Sequence, residues 1–234
     1  MKIFHQTLAL LILLSFTGCN AQQTIKPSVQ VTQLAGHSSR LTNAEVKGAK
    51  RVNINYQFRG NCYAYSSTNN AAPSNGEAHS DNIAQRIDST FPRNGFYLVI
   101  NEMEYVMDGK YLHQKLYIVN TGDTATKLEA QDSRLNIIAE ALNEKQEWQP
   151  ISYLPSSWCG NSYHTVVLDT NQYWSFDVPV FAGTFKTKMR YTLLLDKEQK
   201  ISSNEVAAFL NTSQFNKESK QGHTANSIMY PYND

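Results

Sequence analysis

The chain has 234 residues, 41% of them apolar, and carries 21 Lys and Arg against 20 Asp and Glu. That balance excludes a strong global field for nucleic acid or another polyanion. The apolar share is enough for a core, and the length suits one large domain or two small ones. Tyrosine is abundant, with 13 residues, and aromatic side chains favour strands.

Lys2 gives the N-terminus a positive end, Leu8 to Phe16 is apolar except for Ser15, and small Thr17 and Gly18 precede Cys19. A basic start, a short apolar run and small residues before a cut describe a secretory signal peptide over residues 1–18. The apolar run is shorter than the ~20 residues an ordinary membrane-spanning helix needs. Phe16-Thr17-Gly18-Cys19 resembles the lipobox of bacterial lipoproteins, with Phe16 in place of the usual Leu. The resemblance implies cleavage before Cys19, a diacylglycerol on its sulfur and palmitate-type chains that hold it to a membrane. Two or more acyl chains give stable anchoring. The alternative is ordinary secretion, with Cys19 unmodified. Asn20-Ala21-Gln22-Gln23 carries no charge and so lacks the acidic cluster of some Bacteroidota surface lipoproteins. The resemblance therefore implies an outer-membrane anchor facing the periplasm.

Loss of Lys2 with the signal leaves 20 basic residues against 20 acidic ones. Assigning Cys19 to lipid leaves Cys62 and Cys159 in an oxidising compartment, where a pair reads as a disulfide. Closing so long a loop corresponds to ~4–5 kcal/mol by chain entropy.

Residues 19–45 are polar and read as a lipidated tether. Residues 46–93 read as an irregular segment with one or two strands, the first at Arg51 to Tyr56, followed by a long loop at Ser66 to Asp81. From Asn94 to Leu210 strand-like runs alternate with turn residues. Phe96 to Val106 and Tyr111 to Val119 flank Asp108-Gly109, a hairpin signal. Asn120 to Asp123 marks a turn. Further strands are expected at Leu135 to Leu142, Trp148 to Leu154, Thr165 to Leu168 and Tyr173 to Val180. Phe185 to Leu193 alternates most clearly, with Lys186, Lys188 and Arg190 on the face opposite Met189, Tyr191 and Leu193. Ile201 to Leu210 is expected as the last strand, and residues 211–234 as a flexible tail. Many short strands without a long amphipathic helix predict a mainly β chain, an antiparallel β-sandwich over 94–210. The turns at Asn120-Thr121-Gly122 and Gly183-Thr184-Phe185 resemble those of bacterial immunoglobulin-like sandwiches. The lipobox and Ser157-Trp158-Cys159-Gly160-Asn161-Ser162-Tyr163 also resemble Bacteroidota lipoproteins.

Chemistry-bearing clusters are sparse. Cys159 and His164 suggest a thiolate and its base, but five residues along a strand span ~17 Å. The pair meets only across a turn at Gly160-Asn161, and a half-cystine at that turn is the plainer reading. No two of the histidines after the signal stand at metal-ligand spacing, so no metal or other cofactor is expected. Trp158, Tyr163 and His164 are candidate ligand contacts, as are Lys186, Lys188 and Arg190, which suit an anionic glycan or headgroup. Such a basic row is otherwise a solvated face that discourages edge pairing. Trp148, Trp158 and Trp174 suggest a sugar-stacking platform or, more plainly, core. There is no glycine-rich phosphate loop and no nucleophile elbow. The expected function is a membrane-anchored, non-enzymatic binding or scaffolding module whose partner is an envelope protein or a glycan. A carbohydrate-binding or carbohydrate-processing accessory and a cysteine hydrolase are the alternatives.

Overall fold

A computed structural model describes residues 34, 41–66, 81–155, 162–195 and 199–217. Its strands, in chain order, are β1 (Phe58–Arg59), β2 (Gln85–Arg86), β3 (Phe96–Asp108), β4 (Tyr111–Asn120), β5 (Thr126–Gln131), β6 (Arg134–Leu135) and β7 (Ile137–Leu142). They continue with β8 (Trp148–Pro150), β9 (Ser152–Tyr153), β10 (Tyr163–Leu168), β11 (Gln172–Pro179), β12 (Phe185–Leu194), β13 (Lys200–Ser202) and β14 (Val206–Leu210). The single α-helix of the described residues, α1 (Asn43–Gly48), is started by a capping box between Thr42 and Glu45.

The protein is an antiparallel β-sandwich. One sheet has the order β2-β11-β4-β3; the other runs β13-β12-β7-β8, with β14 also on β12. The principal pairings are antiparallel: β3 with β4, β4 with β11, β7 with β12, and β12 with β14. Lettering the main strands from β3, β3, β4 and β11 are A, B and E, and β13 with β14, β12, β7 and β8 are G, F, C and C′. Period-two alternation explains the assembly. Leu98, Ile100, Leu116, Ile118, Trp174 and Phe176 point into the sandwich from the first sheet. Ala139, Ala141, Met189, Tyr191 and Leu193 point in from the second. The Asp108-Gly109 hairpin forms with Gly109 at φ +57, the left-handed geometry such a turn requires.

Strand G is broken between β13 and β14. At the break the Asn204 side chain reaches strand A, accepting from Ile100 N–H at 2.7 Å and donating to Ile100 C=O at 3.1 Å. It serves as one rung of a ladder that β3 otherwise lacks on that edge. Gly183 precedes β12 where the chain crosses Leu210. A Cβ there would lie 2.0 Å from the Leu210 carbonyl carbon, so only glycine fits.

The expected strand at Arg51 to Tyr56 does not form. Val52 makes one parallel bridge to Phe181, and Lys50 another to Tyr111. The segment crosses the sheets instead of running beside one strand. Asn211 Nδ2 ties it down at Asn53 and Ile54 C=O. Farther along, β1 pairs in parallel with β9, and Cys62 C=O accepts from Leu135 N–H. The packed chain also extends past both expected ends of the sandwich. Leu34, inside the expected tether, is fully buried with Phe91, Tyr97, Val99, Tyr117 and Val119 on the outer face of the first sheet. That face is apolar and takes up apolar residues from outside the strands. Beyond Leu210, a 3₁₀ turn at Thr212–Phe215 buries Gln214 and sets Phe215 edge-on to Phe185 at 6.1 Å.

Candidate functional site

Cys19, Trp158 and Cys159 lie outside the described residues. Cys62 is a free thiol, 4% exposed, inside the main core, where burial pushes its pKa up to about 12. Tyr191 is buried beside it, and burial, then the neighbouring thiol, raises its hydroxyl well above the usual range. A protonated, enclosed thiol is inert.

Tyr163 and His164 sit half-buried on β10, across from Gln131 and Ala130 of β5. The His164 ring Nδ1 faces Ser162 C=O at 3.3 Å. Lys186, Lys188 and Arg190 share β12, in a different sheet, so the structure does not bring the two groups together. The basic row is also not uniformly free. Lys188 pairs with Glu205 at 2.9 Å, and Lys186 is exposed. Arg190 bonds Glu140 at 3.0 Å and lies over the Trp148 ring at 4.0 Å. Glu140, 7% exposed, also accepts from Thr192 Oγ1 at 2.7 Å. This network covers the β7–β8 side of the second sheet's outer face, while Lys186, Lys188 and Phe209 stay exposed toward β14. Arg190 thus covers one face of the half-buried Trp148 ring. Trp174 is fully buried, with Nε1 donating to Tyr65 C=O at 2.9 Å, and has no exposed face. The outer face of the first sheet is closed by Phe91 stacked on Tyr173 at 4.7 Å and edge-on to Tyr117 at 5.9 Å.

Arg134 is 1% exposed at the β5–β6 turn. Its Nη2 donates to Gln131 Oε1 and to Pro155 C=O, and Tyr63 stabilises its charge against a burial that lowers its pKa. This bonding makes it a clamp on the chain at Pro155.

Two open grooves are lined by described residues. One, of about 530 Å³, lies between the β7–β8 turn at Asn143 to Lys145 and the turn at Thr212 to Asn216. Its Asn143 is committed, taking backbone N–H groups of Lys145 and Glu147 and donating to Gln149. The other, of about 580 Å³, lies at the sheet edge where β2 meets the β10–β11 turn, lined by Arg86, Arg93, Asp169, Asn171 and Gln172 among others. Arg86 is set by its β-pairing with Gln172. Arg93 Nη1 donates to Asn171 Oδ1, and Asn171 holds φ +57 at the turn. Both arginines are exposed, and among the described residues neither has a carboxylate at ion-pair distance. Sequence reasoning missed them because they stand far from Asp169 along the chain. The available signal was the Asp169-Thr170-Asn171 turn between two strand-like runs.

Among the described residues no three His, Cys, Asp or Glu cluster to hold a metal ion. No protein-family model matches the sequence, and no curated protein is significantly similar to it.

Proposed function

We propose that this chain is a lipid-anchored protein of the bacterial envelope, held at the periplasmic face of the outer membrane through Cys19. Its sandwich serves as a non-enzymatic binding or scaffolding module. The lipobox supports the anchor, and Lys2 and the short apolar run support its export. The observation that carries the binding role is the Arg86–Arg93 groove: two exposed arginines set on one strand edge and one turn, with no carboxylate at ion-pair distance among the described residues. Arg93 is already oriented by Asn171, which lowers the ordering cost of binding there. Trp174, being buried, offers no stacking face to a sugar.

Intact-mass analysis and membrane fractionation test the anchor. The expected product starts at a diacylglyceryl-modified Cys19 and partitions with the outer membrane, and Cys19→Ala releases it to the soluble fraction. A mature chain with unmodified Cys19, or one retaining residues 1–18, overturns the anchored reading. Crosslinking in intact cells tests the binding role, since a scaffold or receptor gives reproducible partners lost on Arg86→Gln/Arg93→Gln.

A further inference from the structure

We propose that the groove at Arg86, Arg93 and Asp169 binds a saccharide through a single carboxylate, as in a uronic acid. This rests on the binding-module reading and names its ligand class. Guanidinium groups present planar forks of donors that match a carboxylate. Arg93 spends one donor on Asn171 Oδ1, which fixes the fork's direction and leaves others open. Arg86 is held by the β2–β11 pairing, and Ile87 N–H donates to Asn171 C=O at 3.0 Å, so both arginines are tied to the same turn.

Charge chooses among anions. Two guanidinium groups and the Asp169 carboxylate leave one net positive charge in the groove. A single uronate carboxylate matches that charge, whereas a phosphate group carries two charges at one point and meets the greater repulsion from Asp169. The rest of the lining chooses among carboxylates. Asp169 and Thr170 bring a carboxylate and a hydroxyl for vicinal hydroxyls, beside Asn171 and Gln172, whose amide oxygens accept from Arg93 and from Asp169 N–H. Ile87 adds an apolar spot for the C–H face of a ring. The volume, about 580 Å³, falls within the small-molecule range and suits a mono- or disaccharide.

The test is calorimetric titration of the full mature lipoprotein in detergent with glucuronate, galacturonate and digalacturonate. Digalactose serves as the uncharged control and inorganic phosphate as the competing anion. A uronate is expected to bind, with affinity falling about tenfold or more for Arg86→Gln or Arg93→Gln. Asp169→Asn is expected to tighten it several-fold. Both arginines are exposed, so unchanged urea midpoints will show that the variants fold. Digalactose binding as tightly as digalacturonate, phosphate binding more tightly than any uronate, or indifference to both arginine variants overturns the assignment. If a chain confirmed as lipidated binds none of the uronates, the site proposal fails while the anchored module stands. If a uronate binds through the two arginines and is cleaved, the site stands and the non-enzymatic reading fails.

Discussion

Replacing Asn204 by alanine removes the side chain that joins strand G to strand A. Asn204 is 2% exposed and Ile100 1%, and both backbone groups of Ile100 are paired to the Asn204 amide, at 2.7 and 3.1 Å. The substitution strands a buried N–H and a buried C=O, each worth ~1–3 kcal/mol when left unpaired. A water entering the vacated space recovers part of this, so about 2–4 kcal/mol is expected. With a urea m-value of ~3 kcal/mol/M for a chain of this size, the unfolding midpoint should fall by about 1 M. Asn204→Asp sharpens the test. It keeps an acceptor for the N–H but sets a carboxylate against the Ile100 C=O, which favours the protonated carboxyl. Its folded-state pKa is therefore raised above the unfolded value of ~3.9. A raised folded pKa means stability that is present below the unfolded pKa and lost as pH rises through the folded one. Asn204→Asp should thus come closest to wild type near pH 4 and fall furthest behind above pH 7. Urea melts of both proteins at each pH isolate the difference. A midpoint loss for Asn204→Ala under about 0.2 M, or an Asn204→Asp deficit independent of pH, would refute the reasoning.

Further outcomes follow from the same geometry. Glu140→Ala leaves Arg190 and Thr192 without their buried acceptor and should cost about 3 kcal/mol; adding Arg190→Ala should cost less than the sum of the singles, measured in a double-mutant cycle by urea unfolding. Gly183→Ala should give little folded protein on expression, because its Cβ meets the Leu210 backbone at 2.0 Å, whereas Gly48→Ala, with nothing within 4 Å, should express and melt normally. The Cys62 thiol has a folded pKa of about 12 against ~8.5 unfolded, so its contribution is complete below pH 8.5 and lost as pH rises toward 12. Between pH 8 and 10.5 the reduced wild type should lose on the order of 3 kcal/mol more than Cys62→Ala, by denaturant melts at each pH; equal losses would show that Cys62 does not titrate this way. The same thiol distinguishes the Cys62–Cys159 pairing: a crosslinked peptide in the unreduced protein, with the alkaline loss appearing only on reduction, would establish the bond.

How much of this the sequence disclosed depended on the range of the interaction. The alternation in Phe185 to Leu193 set the buried face of β12, because adjacent side chains on a strand must point to opposite faces. Asp108-Gly109 announced its hairpin because the turn chemistry is local. The segment Arg51 to Tyr56 shows the same alternation, and Val52 and Ile54 do pack on the core, yet it forms no strand because no neighbouring strand runs alongside it. β5 carries a mixed pattern in sequence and becomes a strand through its pairing with β10.

The sequence by itself determined the β-class and the inward faces of its main strands, and it raised the expectation of an export signal ending at a lipobox cysteine. All of these are written in composition and in periods of a few residues. Tertiary structure alone decided that Arg190 belongs to Glu140 and Trp148 rather than to a ligand, and that Asn204 completes strand A. It also brought Arg86 and Arg93 to one turn with Asp169. Those pairings join residues 42 to 104 positions apart, and their partners are chosen by strand register and sheet order, which no local pattern encodes.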